Sequence, residues 1–240
     1  MVNLTKYVVF QLFSQNIVLF GIALFPLILF TLTQTAPRIP SNLEAASVLE
    51  VFIVYTFSLV AFGDTFYKSV SEGLAETLLT KPFTRGQFLL TQLGGFGVYA
   101  LLISAYSVLC IILAHAYATG HWHVDQLLRF VPLSLGLLSL AAWQTLLIVI
   151  VQNSMIPIMS VLFYLLFLAG PLTLFHTGTF AEIAAVDPVL VKTADVLFYI
   201  LPPVWALTNF SSSLEIYLIA TVSTAAVAFF AMLGFRRLSL

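Results

Sequence analysis

Phe88 to Ala114 reads FLLTQLGGFGVYALLISAYSVLCIILA, a run without one charged residue. A helix crosses the hydrocarbon core of a bilayer in about 20 residues, so this run is long enough to span. It does not fit β-structure, because barrel strands take only about ten residues and alternate strictly between apolar and polar side chains. Composition agrees. The chain has 240 residues, 61% of them hydrophobic and 8% charged, with a mean hydropathy of +1.07. Soluble domains keep roughly a quarter of their residues charged, so lipid is the only solvent that can take this much apolar surface. An all-α integral membrane protein is expected.

Working outward from that run, six stretches reach spanning length: Ile17 to Thr33, Ala45 to Gly63, Phe88 to Ala114, Phe130 to Val151, Met155 to Phe175 and Leu214 to Phe235. Basic flanks stay on the cytoplasmic side of a membrane. With six spans, Lys6, Lys68, Lys81, Arg85, Arg236 and Arg237 fall on one side and Arg38, Arg129 and Lys192 on the other, which puts both termini in the cytoplasm. The N-terminal apolar run continues to Leu32, longer than the core of a signal peptide, and reads as an uncleaved first span. Net charge is -1 with no basic stripe, which argues against nucleic acid as a partner. The single cysteine, Cys110, has no partner for an internal disulfide.

Residues 1–16 are less apolar than the first span. On a helical wheel Asn3, Lys6, Tyr7, Gln11, Ser14 and Gln15 take one half and Val8, Val9, Leu12 and Phe13 the other, with Leu4 and Phe10 out of place. This predicts a helix lying in the cytoplasmic interface. Between spans five and six, residues 176–213 carry Glu182, Asp187, Lys192 and Asp195, then VLFYILPPVWAL, which is too short to span and is broken by Pro202 and Pro203. Short helices dipping into the outer leaflet are expected there. With no internal repeat, residues 1–240 form a single membrane domain.

The loop before the opening run, Glu72 to Phe88, reads EGLAETLLTKPFTRGQF. Ser69-Val70-Ser71-Glu72 has the form of a capping box, and Pro82 forbids a helix from continuing. A short helix over 69–82 is predicted. Val70, Leu74, Ala75, Leu78 and Leu79 share one face, while Glu72, Glu76 and Thr80 line another. So short a helix is marginal alone and must dock. Membrane-surface helices carry lysine and arginine on the polar face, so a glutamate face points to a protein partner.

The run E-G-L-A-E-T-L-L-T-K-P-F-T-R, followed by an apolar helix with Gly94-Gly95, resembles the first cytoplasmic loop of the ABC type-2 transporter permeases. The layout is similar too, in its N-terminal helix, Pro26 within span one and Leu201-Pro202-Pro203 before span six, although Gln92 stands where the family often has lysine. The resemblance implies that 69–82 is a coupling helix gripped by an ATP-binding subunit, with Glu72, Gly73, Leu74, Glu76, Leu78, Leu79, Pro82 and Arg85 as the contact residues. It implies a second permease copy or paralogue, export more often than import, and the cytoplasmic membrane of a prokaryote. No glycine is followed by lysine, so the P-loop is absent from these residues, and ATP and magnesium are expected in the partner.

Three other readings compete. Ion-coupled transporters place ionisable residues within the spans, whereas Glu50, Asp64, Arg129, His115 and Glu215 all read as boundary residues here. A membrane enzyme could use His121-Trp122-His123 with Asp125 and His115 as a metal site, but residues two apart on a helix point to different sides, and Trp122 suits the interfacial belt. No catalytic, cofactor or metal residue is assigned. A non-transporting anchor that recruits an ATPase would show the same loop. Tyr55, Thr56, Ser58, Gln144 and Thr145 suit a transport path and helix packing equally.

Overall fold

The structure is a computed structural model that describes residues 2–36, 43–71, 84–171, 188–208 and 214–237. These residues form helices, with no strand among them. In order they are α1 (Val2–Phe13), α2 (Asn16–Thr35), α3 (Leu43–Glu50), a π-helical turn (Val51–Tyr55), α4 (Thr56–Ser71), α5 (Arg85–Thr119), a 3-10 turn (Val124–Arg129) and α6 (Phe130–Val151). Then come α7 (Met155–Phe163), a second π-helical turn (Tyr164–Leu168), α8 (Pro188–Ile200), α9 (Val204–Thr208) and α10 (Leu214–Arg237).

Five helical stretches are long and apolar enough to cross a membrane: Asn16–Thr35, Val48–Ser71, Arg85–Thr119, Gln126–Val151 and Leu214–Phe235. Met155–Pro171 is apolar but shorter, and the rest of the expected fifth span lies outside the described residues.

α6 is the hub, packing on α4, α5, α7, α9 and α10. Burial grades outward from it. The apolar window of the α6 stretch is 61% buried, against 28% for α2 and 17% for α10, so those two helices form the periphery. Phe20, Leu27 and Phe30 on α2 and Val222, Phe229 and Phe230 on α10 face outward, as a lipid-facing surface would. The interior carries a run of touching rings. Phe66 stacks on Phe62 with centroids 5.9 Å apart, Phe62 meets Phe96 at 4.3 Å, Phe96 meets Tyr99 at 5.5 Å, and Tyr99 meets Phe13 at 4.9 Å. Such pairs contribute about 0.5–1.5 kcal/mol each beyond their buried area, and here they join α4, α5 and α1.

α1 is a separate helix, as its amphipathic pattern predicts. The chain breaks at Gln15, whose φ of -73° and ψ of 129° are extended. Val8 and Leu12 are buried while Lys6, Tyr7 and Phe10 are exposed. The buried edge lies on α5, where a Cβ on Gly95 would come within 2.7 Å of Val8 Cβ. Only glycine permits that approach. Gln15 also reaches α4, donating its amide to Thr65 Oγ1.

Candidate functional site

The expected docking segment is bracketed by two well-defined helix ends. α4 continues to Ser71, so the helix start expected at Ser69 is corrected. Ser69 is a buried residue in the last turns of α4, and its hydroxyl donates to the Thr65 carbonyl at 2.8 Å. A serine that bonds back to i-4 belongs to a continuing helix. Lys68 pairs with Asp64 at 2.7 Å on the exposed face of the same helix. On the other side, Thr84 forms a full capping box. Its hydroxyl accepts from the Gln87 N–H at 3.2 Å, and Gln87 Oε1 accepts from the Thr84 N–H at 2.9 Å. Glu72, Gly73, Leu74, Glu76, Leu78, Leu79 and Pro82 lie outside the described residues. Arg85 is described, and as the first residue of α5 it is partly buried.

α5 has 35 residues, about 52 Å of helix against a hydrocarbon core of about 30 Å. It therefore protrudes from the membrane or tilts strongly within it. Its far end stops at Gly120, which takes the left-handed conformation at φ 75° and returns its N–H to the Ala116 carbonyl.

Several polar side chains inside the bundle tie one helix to another, while many buried serines and threonines bond back within their own helix. Tyr55 donates to the Leu133 carbonyl on α6, and Ser58 on α4 shares a hydrogen bond of 2.8 Å with Tyr99 on α5. Tyr106 on α5 donates to the Ile22 carbonyl on α2 at 3.0 Å, and Ser139 on α6 meets Thr224 on α10 at 2.6 Å. Gln144 on α6 is fully buried and donates Nε2 to the Leu59 carbonyl at 3.0 Å. It fits because position 63 is glycine: a Cβ there would collide with Gln144 Nε2. Thr145 donates to Ala141 within its own helix. Of the groups read in the sequence as pathway or packing, Tyr55, Ser58 and Gln144 bond between helices and Thr145 within its own, while Thr56 Oγ1 is buried without a hydrogen-bond partner among the described residues.

Glu50 departs most from the sequence reading, which placed it at a boundary and expected no buried charge. It is 0% exposed, and neither carboxyl oxygen has a hydrogen-bond partner among the described residues. The physical reason is packing: Glu50 ends α3, which lies against α5 rather than at an open boundary. Ser107 and Cys110 on α5, Tyr55 on the following π-helical turn and Arg129 on the 3-10 turn lie within electrostatic reach of it. A span drawn from Ala45 already contains Glu50, and its burial follows from the packing of α3 on α5, which run length does not show.

His115, His121 and His123 form no ligand set among the described residues, where no group of three or more His, Cys, Asp or Glu lies close enough to hold a metal. His115 and His123 make an edge-on ring contact at 4.8 Å. Open apolar grooves run beside α6. One of about 560 Å³ is lined by Trp143, Tyr199, Leu218, Val222 and Phe230, and another of about 230 Å³ by Leu140, Trp143, Ser160, Tyr164 and Pro202. Trp143 borders both, its indole N–H buried without an acceptor among the described residues.

No protein-family model matches the chain, and no curated protein matches it in sequence.

Proposed function

We propose that this chain is the membrane-spanning permease subunit of an ATP-driven transporter of the ABC type-2 kind, working as an exporter in the cytoplasmic membrane of a prokaryote. It pairs with a second permease copy or a paralogue and is driven by a separate ATP-binding subunit. The observation that carries this reading is the sequence of Glu72 to Arg85, acidic and leucine-rich with Pro82 near its end, between the end of one membrane helix and the capped start of a very long one. A partner that moves this segment would move α5 as a rod, because the Thr84 box fixes the first turn and the helix runs unbroken for 35 residues. The peripheral α2 and α10 offer the surface on which a second permease would sit. Cargo with apolar or lipid-linked character suits the apolar grooves beside α6.

The test is affinity purification of the full chain in mild detergent, with mass spectrometry of what stays bound. An ATP-binding subunit is expected, and Leu78→Asp should release it by placing an ionised group in an apolar contact. Charge reversal at Glu72 and Glu76 should weaken the complex more at low salt than at high salt, since exposed ion pairs are screened by ions. Recovery of the chain without any ATPase would replace the exporter reading with that of an anchor docking something else through the same loop.

A further inference from the structure

We propose that Glu50 is a proton-binding site of this protein, a carboxylic acid held neutral in the outer half of the membrane, with Arg129 placed to receive its charge when the proton leaves.

Depth comes first. If the hydrocarbon layer is centred on α5, it ends about 11 Å short of each end of that helix. Ser107, beside Glu50, is then about 7 Å inside the outer edge. An ionisable side chain within a membrane span is costly and marks a pathway or a relay unless a partner compensates it. Here the carboxyl is 0% exposed, its two oxygens accept no hydrogen bond among the described residues, and neither apolar groove beside α6 reaches it.

The Ser107 hydroxyl donates to the Ile103 carbonyl at 2.9 Å and the Tyr55 hydroxyl donates to the Leu133 carbonyl, so both protons are already committed elsewhere. An ionised carboxylate is a pure acceptor and would go without those two donors. Among the described residues, the titratable or charged groups facing Glu50 are Tyr55 on its own stretch, Cys110 on α5 and Arg129 on the 3-10 turn. α9, which packs on α3, buries the apolar Val204, Ala206 and Leu207. Arg129 is within electrostatic reach but makes no hydrogen bond to either oxygen. The π-helical turn that begins at Val51 adds a local irregularity of a kind that recurs at functional sites.

The step is a proton transfer. Water that reaches the carboxyl takes its proton as hydronium, leaving a carboxylate whose charge the Arg129 guanidinium balances, and the reverse transfer restores the acid.

The experiment uses the full chain in phosphatidylcholine and phosphatidylglycerol nanodiscs, without nucleotide or partner, so its outcome is independent of whether an ATPase binds. Infrared spectra of wild type minus Glu50→Gln at neutral pH should show the carbonyl stretch of a carboxylic acid, shifted down in heavy water. Carboxylate bands in its place would overturn the proposal. So would failure of Glu50→Gln to fold, because the amide is the neutral isostere. A double-mutant cycle with Arg129→Gln supplies a second measurement. The two substitutions should add in their effect on unfolding temperature, whereas strong coupling would mean a permanent ion pair.

Discussion

Gly63 and Gln144 show how a single missing methyl sets the core of this bundle. Gln144 buries an amide between helices, with Nε2 on the Leu59 carbonyl and Oε1 without a partner among the described residues. The donated bond is worth about 0.5–1.5 kcal/mol net, and the bare Oε1 costs a comparable amount, so the two nearly cancel. Gln144→Leu should therefore change stability by less than about 1 kcal/mol. Gly63→Ala is different, because its Cβ would overlap Gln144 Nε2 and lie 2.8 Å from Ile158 Cγ1. The amide is held by its bond and by close packing, so the alanine should cost about 1–3 kcal/mol. Thermal unfolding in detergent checks both. In a Gln144→Ala background Gly63→Ala should lose most of its penalty, and an undiminished penalty would move the cause to Ile158.

At the scale of elements, two contacts join the N-terminal helix and the docking loop to the same long helix. Gly95→Val would push Val8 away and lift α1 from α5, an expectation that hydrogen exchange can check through faster exchange of the amides in residues 5–13. Thr84→Ala removes a capping box and should cost about 1 kcal/mol. That loss should appear as fraying of the first turn of α5 and, on the exporter reading, as weaker stimulation of transport by ATP. These two contacts also show what a sequence makes readable. The existence of each long helix follows from hydrocarbon-length apolar runs, and α1 has the two-faced wheel read in the sequence, with Val8 and Leu12 buried. Helix ends are less legible. Apolarity begins at Phe88, but the Thr84-x-x-Gln87 box starts the helix at Arg85, because hydrogen-bonded caps ignore hydropathy. Ser69 misleads in the opposite sense, its serine-x-x-glutamate spacing lying inside a helix that had not yet stopped. Glu50 is the largest departure, since a charge near the start of an apolar run looks like a boundary until α3 is seen packed against α5. Arg85 alone among the expected contact residues is placed, so the sequence pattern still carries the docking segment.

For the whole molecule the open question of architecture is whether the chain crosses the membrane between Met155 and Pro171. That helix is about 26 Å long at full α-helical rise, slightly short of a hydrocarbon core of about 30 Å, and a π-helical turn at Tyr164–Leu168 shortens it further. Its surroundings favour a crossing. Asn153 caps its start, accepting from the Met155 N–H at 2.7 Å, after Gln152 has reversed the chain in the left-handed conformation at φ 53°. Such a tight reversal sends α7 back along α6. Partway along, Tyr164 donates to the Pro202 carbonyl at 2.6 Å, so the Leu201-Pro202-Pro203 break reaches down to the middle of this apolar stretch. That is the placement expected of an element entering from the opposite side. Ser71 ends α4 and Thr193 is exposed on α8, and the chain between them includes α5, α6 and α7. Three crossings put those residues on opposite sides of the membrane and two put them on the same side. Single cysteines at Ser71 and Thr193, in a background with Cys110→Ala, should therefore react with a membrane-impermeant maleimide from opposite sides in oriented vesicles. Reaction from one side would remove the sixth span, put the termini on opposite faces and leave the Leu201-Pro202-Pro203 break on the same side as the docking loop.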